Sequence, residues 1–159
     1  MAHRVRHLPL AMIAAVASLL ALAPTAGAVV VLRDGQEGNP VARVKTATCR
    51  VRRHAGFFAS ARSTDGAYSV KVFVQHWKGK GRQYPLHAEA EDPLIVVEGP
   101  SGRFSNGFHF NPLPYADAVG KIGFADGGTK LRISGDLSNE GGSAGIVFLP
   151  GTLTCRWTS

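Results

Sequence analysis

Phe57-Phe58-Ala59-Ser60-Ala61-Arg62-Ser63 and Tyr68-Ser69-Val70-Lys71-Val72-Phe73-Val74-Gln75 flank Thr64-Asp65-Gly66, and this stretch decides the fold. In the second run Tyr68, Val70, Val72 and Val74 fall on one face, with Ser69, Lys71, Phe73 and Gln75 on the other. A period of two is the signature of a half-buried strand. Asp-Gly between two such runs is a strong hairpin signal.

The same grammar continues on both sides. Val44 to Arg52 alternates, placing Ala47, Cys49 and Val51 on one face. Tyr84 to Glu91 alternates until Asp92-Pro93, because proline cannot donate to a ladder. Leu94 to Glu98 is a continuous apolar run of buried-strand type. Arg103 to Phe110, Ile122 to Phe124, Leu131 to Leu137, Ala144 to Leu149 and Thr152 to Trp157 complete the set. Gly- and Asn-rich turns separate them, and Asn111 to Gly120 is the longest irregular stretch, with room for one helical turn. The expected fold is therefore all-β: a single antiparallel β-sandwich with an immunoglobulin-like outline. A small closed β-barrel gives nearly the same pattern.

Cys49 and Cys155 are the two cysteines of the chain. In an oxidising compartment an isolated pair reads as one disulfide, here tying an early strand to the last. The compartment is inferred from residues 1–28. Arg4 and Arg6 precede an apolar run from Leu10 to Leu22 that only Ser18 interrupts. Pro24 and Ala26-Gly27-Ala28 follow, the order of a secretory signal peptide with its cleavage site. An uncleaved anchor would need about 20 apolar residues and would have to pass through Pro24, Thr25 and Gly27. The expected organisation is a signal peptide over 1–28, an exposed leader over 29–42 and one β-domain over 43–159, with no transmembrane segment after cleavage.

The full chain has 18 Lys+Arg against 11 Asp+Glu, a net charge of +7. Without Arg4 and Arg6 the balance is 16 − 11 = +5, which favours acidic partners. For an exported chain nucleic acid is not the expected one. The cations cluster as Arg50, Arg52, Arg53 and His54, and as Lys78, Lys80 and Arg82. Trp77 and Tyr84 flank the second cluster. Cations beside aromatics suit polyanion or carbohydrate surfaces, so Trp77, Lys78, Lys80, Arg82 and Tyr84 form the candidate binding set.

Catalytic patterns are weaker. Gly141-Gly142-Ser143-Ala144-Gly145 matches the nucleophile-elbow motif, but no histidine follows it and no helix is expected there. His87, Glu89 and Glu91 would share one face of a strand and offer divalent-metal ligands. Their spread of about 13 Å along a strand lets at most two reach one ion. No cofactor or metal is expected, and the ordinary role of these residues is the polar face of an edge strand.

Thr48-Cys49-Arg50, Leu131-Arg132-Ile133-Ser134-Gly135 and Thr152-Leu153-Thr154-Cys155 together resemble the two-cysteine β-sandwich antigen domains of actinobacterial envelopes, the 19-kDa lipoprotein antigen type. The lipid-attachment cysteine of that family is missing, and the resemblance implies no functional residues. The expected function is a secreted, non-catalytic binding or interaction module of the cell envelope or extracellular space. Its expected partners are an anionic envelope polymer, an acidic lipid surface or another extracellular protein. The alternatives are a small secreted hydrolase or metal-dependent enzyme, and a protease inhibitor presenting Pro112 to Tyr115.

Overall fold

The computed structural model describes residues 29–34, 37–87, 92–107, 118–141 and 146–159. The signal segment 1–28, residues 111–117 of the irregular stretch and His109 lie outside the described residues. The strands are β1 (Val30–Asp34), β2 (Pro40–Val44), β3 (Thr46–Arg52), β4 (Gly56–Arg62), β5 (Ser69–Val74) and β6 (Tyr84–His87). They continue as β7 (Leu94–Gly99), β8 (Gly102–Ser105), β9 (Ala118–Ala125), β10 (Lys130–Asn139), β11 (Ile146–Phe148) and β12 (Gly151–Trp157). One 3-10 turn, Asp126–Gly128, joins β9 to β10.

The deciding hairpin forms as its pattern requires. β4 and β5 pair antiparallel from Phe57↔Val74 to Arg62↔Ser69. In its turn the Ser63 hydroxyl donates to Asp65 Oδ1 and accepts the Tyr68 N–H at 2.9 Å, while Asp65 also accepts from Ala67 N–H. The Ser63 bond, with the Ala67 amide, holds the Asp65 carboxyl below its ordinary range. Val70, Val72 and Val74 are buried, and so are Phe57, Ala59 and Ala61 opposite them.

All strands belong to one sheet, and its ladder closes on itself. The ring runs β3–β4–β5–β7–β8–β10–β12 and back to β3. Closure is possible because β10 is long enough to use both its edges twice. One edge pairs with β9 and then β8, and the other with β12 and then β11. The all-β class is as expected, and of its two outlines the closed ladder corresponds to the barrel. One pairing departs from the antiparallel expectation. β12 and β3 run parallel, from Thr154↔Thr46 to Trp157↔Cys49. Cys49 and Cys155 point inward across this seam and are disulfide-bonded, with Cα atoms 5.6 Å apart.

The segment expected to be an exposed leader is part of the sheet. β1 pairs with β2, β11 and β12, and Val30 and Leu32 are wholly buried. The apolar run Val29-Val30-Val31-Leu32 has no alternation and is too short to stand out before Arg33 and Asp34. Those two residues instead fasten the turn: Arg33 donates to the Gly38 carbonyl at 2.8 Å and Asp34 N–H to the Asn39 carbonyl at 2.9 Å. The expected boundary at 42/43 therefore falls inside β2. Val51 also differs from expectation, being 47% exposed, because the ladder with β12 stops at Cys49 and leaves the end of β3 uncovered.

The core contains mainly aliphatic side chains, including Leu32, Leu86, Ile95, Ile122, Leu131, Leu137 and Leu153. Asn106 is a polar side chain that is completely buried. Its Oδ1 accepts the Ile95 N–H at 2.7 Å, and its Nδ2 donates to the Pro93 carbonyl at 3.0 Å and the His87 carbonyl at 3.2 Å. One side chain thus joins the end of β6 to the start of β7.

The cross-seam disulfide is expected to be the largest single covalent constraint on unfolding. Cys155→Ser should lower stability by about 2–5 kcal/mol, the usual loss when a small domain loses its native disulfide. Denaturant titration of parent and variant under non-reducing conditions measures it. Equal midpoints would show that hydrogen bonding alone holds the seam.

Candidate functional site

β9, β10 and β12 form three adjacent strands whose outward faces carry unusual chemistry. The register sets Lys121 opposite Ser134, Gly123 opposite Arg132, and Arg132 opposite Thr152. Side chains on one face of an antiparallel pair are neighbours at the opposed and diagonal positions. Lys121 and Arg132 are therefore diagonal neighbours, and Gly123 leaves bare backbone between them. A Cβ at Gly123 would have as its nearest heavy-atom neighbour Gln83 Cγ, at 3.8 Å. The loop before β6 borders this face, and the half-open cleft between them has a volume of about 350 Å³. Lys80, Arg82, Lys121 and Arg132 line it together with Ser134 and Thr152, and no carboxylate does. Among the described residues none of these four cations lies within ion-pair distance of a carboxylate; Asp126, in the turn after β9, is paired with Lys130 at 2.6 Å. That Lys130 contact, with a smaller contribution from the charge of Arg132, holds the Asp126 carboxyl below its ordinary range.

Next to the cleft stands a wall of aromatic rings. Trp77 stacks between Phe57, at 5.0 Å, and Tyr84, at 5.3 Å. Phe124 meets Phe57 and Trp77 edge-on at 5.1 and 5.2 Å, and Trp157 lies 5.9 Å from Phe57. Each such pair contributes about 0.5–1.5 kcal/mol beyond area burial. This arrangement places the five residues singled out in the sequence in three different situations. Trp77 and Tyr84 belong to the wall and do not present open ring faces to a ligand. Tyr84 is only 7% exposed, and its hydroxyl accepts the Lys78 N–H at 2.9 Å and donates to the Gly79 carbonyl at 2.8 Å. Lys80 and Arg82 line the cleft, whereas Lys78 is exposed and does not.

Lys80 is also less free than glycine neighbours suggest. Its ammonium sits 4.0 Å over the Trp157 ring. Its stem lies on Gly128, where a Cβ would come within 2.2 Å of Lys80 Cδ. Trp157 is fixed in turn by its Nε1–H donating to the Gly128 carbonyl at 2.8 Å. The root of the loop is tied by Asp92, which accepts from the backbone N–H groups of Gln75 at 2.6 Å and His76 at 3.0 Å, and contacts His76 Nδ1. Burial raises the Asp92 pKa, but the His76 amide and ring and the Gln75 amide outweigh it, and the net shift is downward.

The other sequence candidates are not drawn into this site. Arg50 lies 4.6 Å over Phe58, and Arg52, at the end of β3, and Arg53 and His54, on the turn after it, are exposed. His87 ends β6, half-buried, while Glu89 and Glu91 lie outside the described residues, as do Pro112 to Tyr115. Gly141 is described with its N–H donating to Asn139 Oδ1 at 2.8 Å, but Ser143 is not. Among the described residues no group of three His, Cys, Asp or Glu is placed to hold a metal. Sequence reading missed Lys121 and Arg132. The signal was present in Lys121-Ile122-Gly123-Phe124 and Lys130-Leu131-Arg132-Ile133, whose alternation turns the cations outward, but not in the pairing that sets them side by side.

The Asp92 tether has a pH signature. Its carboxyl has a lowered pKa in the folded state, so its contribution is complete above the unfolded value of about 3.9 and is lost as pH falls through the folded value. Denaturant midpoints of the parent should therefore fall between pH 5 and pH 2 more steeply than those of Asp92→Asn. Parallel acid limbs would remove this carboxylate from the tether.

Comparison with protein-family models, curated proteins and solved structures returned no match.

Proposed function

We propose that this protein is a secreted, non-catalytic binding module for anionic polymers or surfaces of the envelope or extracellular space, acting through the cleft of Lys80, Arg82, Lys121 and Arg132. The observation that carries the reading is four cations lining one cleft with no carboxylate among its lining residues. Like charges brought together in this way are stabilised by an anionic ligand. Two further facts support binding over chemistry. Both cysteines are joined in the disulfide and provide no thiolate. The lining holds hydroxyls and cations but no imidazole, carboxylate or thiol.

An extracellular site of action is supported by the disulfide, which persists in oxidising compartments. Among the described residues no helix is long and apolar enough to cross a membrane. The basic character of the chain suits attraction at a distance, which salt screens over about 8–10 Å at ionic strengths of 0.1–0.15 M.

Replacing Arg82, Lys121 and Arg132 together with Ser is expected to remove most binding to dextran sulfate and to phosphatidylglycerol vesicles. Such exposed changes usually move stability by no more than about 0.5 kcal/mol each. Lys80 is retained because its ammonium packs over Trp157 and its stem over Gly128. Binding of the parent should weaken steeply between 20 and 200 mM salt, measured by titration calorimetry and vesicle sedimentation. Undiminished binding by a folded triple variant would refute the cleft as the binding surface.

A further inference from the structure

We infer that the cleft contains a built site for a tetrahedral oxyanion, the phosphate or sulfate group of an anionic chain, seated over Gly123 between Lys121 and Arg132. This inference rests on the anionic-ligand reading and narrows it to one chemistry. Three observations converge. The first is where the donors come from: Arg82 on the loop, Lys121 on β9 and Arg132 on β10 supply cations from separate elements. Ser134 and Thr152 add hydroxyl donors, with Thr152 coming from a third strand directly opposite Arg132. A carboxylate offers two oxygens in one plane and is well served by a single guanidinium fork. A phosphate or sulfate group has three or four oxygens on all sides and needs donors arriving from several directions.

The second observation is the space. Gly123 is the residue facing Arg132; it is buried, and a Cβ there would meet Gln83 Cγ at 3.8 Å, an ordinary contact distance, so the position has room for a small added group beneath Gln83. Any larger residue would occupy the gap between the two strand cations. The third is the rim: Lys80 is held over Trp157 and against Gly128, so one cation stands in a fixed place at the edge of the cleft. A chain of repeating oxyanions could meet the fixed rim and the floor at once, whereas a diffuse basic surface would have no such preference.

The test separates shape from charge. Gly123→Val fills the floor and leaves every cation in place; Thr152→Val keeps side-chain shape and charge while removing one hydroxyl. Binding of tripolyphosphate and of oligoglutamate of matched charge is measured by calorimetry for parent and variants, with thermal midpoints confirming folding. The parent should prefer tripolyphosphate, Gly123→Val should weaken it about tenfold, a loss near 1.4 kcal/mol, and Thr152→Val at least about threefold, while oligoglutamate binding hardly changes. If both ligands bind alike and neither variant matters, the oxyanion site is overturned. The anionic-surface reading then still stands if the triple cation variant abolishes binding, and falls with it if that variant binds normally. Vesicles bearing phosphatidic acid identify the source of the group. Binding lost in Gly123→Val marks a lipid headgroup, and tripolyphosphate binding without vesicle binding marks a soluble chain; both support the site.

Discussion

β12 has a hydrogen-bonded neighbour on each side, and the rest of the molecule depends on that. On one side it pairs antiparallel with β10 and on the other parallel with β3, so the last strand joins the sheet's two halves. Without it the ladder would end in two long edges, at β3 and along one side of β10, and exposed edges invite pairing with other chains. A parallel partner so distant in sequence must be found late and held against a large loss of chain entropy. The Cys49–Cys155 bridge, spanning 106 residues, lies across that same seam and shrinks the unfolded ensemble where closure is most costly. Gly151, at the start of the strand, allows the close approach to β1 that continues the sheet. A Cβ there would press to within 2.2 Å of the Val29 carbonyl.

Closure also builds the cleft. Lys121, Arg132 and Thr152 lie on three strands that become neighbours only because β10 lies between β9 and β12. The loop carrying Lys80 and Arg82 is aimed at them by a second set of contacts. Trp77 is wedged between Phe57 and Tyr84, Asp92 grips the loop's root, and Trp157 of the closing strand carries Lys80. The aromatic residues beside the basic loop are thus the means by which cations are positioned. Their burial stabilises the fold, and their fixed geometry gives the charges a defined place.

Much of this was legible in the sequence because it was local. The alternation of Tyr68 to Val74, the Asp65-Gly66 turn, the buried run Ile95-Val96-Val97 and the lone cysteine pair each announce themselves within a few residues. Strand β1 did not, since a short, uniformly apolar run before Arg33 and Asp34 carries no periodic signal. Nor did the parallel seam, because nothing near Thr154 or Thr46 records the direction of a partner so far along the chain. The site divided in the same way. Lys80 and Arg82 were visible as a cluster, but Lys121 and Arg132 join it through register. Trp77 and Tyr84, which read as ligand-facing rings, turned inward because the apolar end of the ring offers them more contact than water does.

The central claim is that closure gathers scattered cations into one specific cleft instead of leaving a generally basic surface. Amide chemical-shift mapping by NMR during titration with tripolyphosphate addresses it directly. The account predicts shifts concentrated at Arg82, Lys121 to Gly123, Arg132 to Ser134 and Thr152, with Arg52 to His54 unmoved. Shifts spread evenly over both basic clusters, or confined to Arg52 to His54, would contradict it.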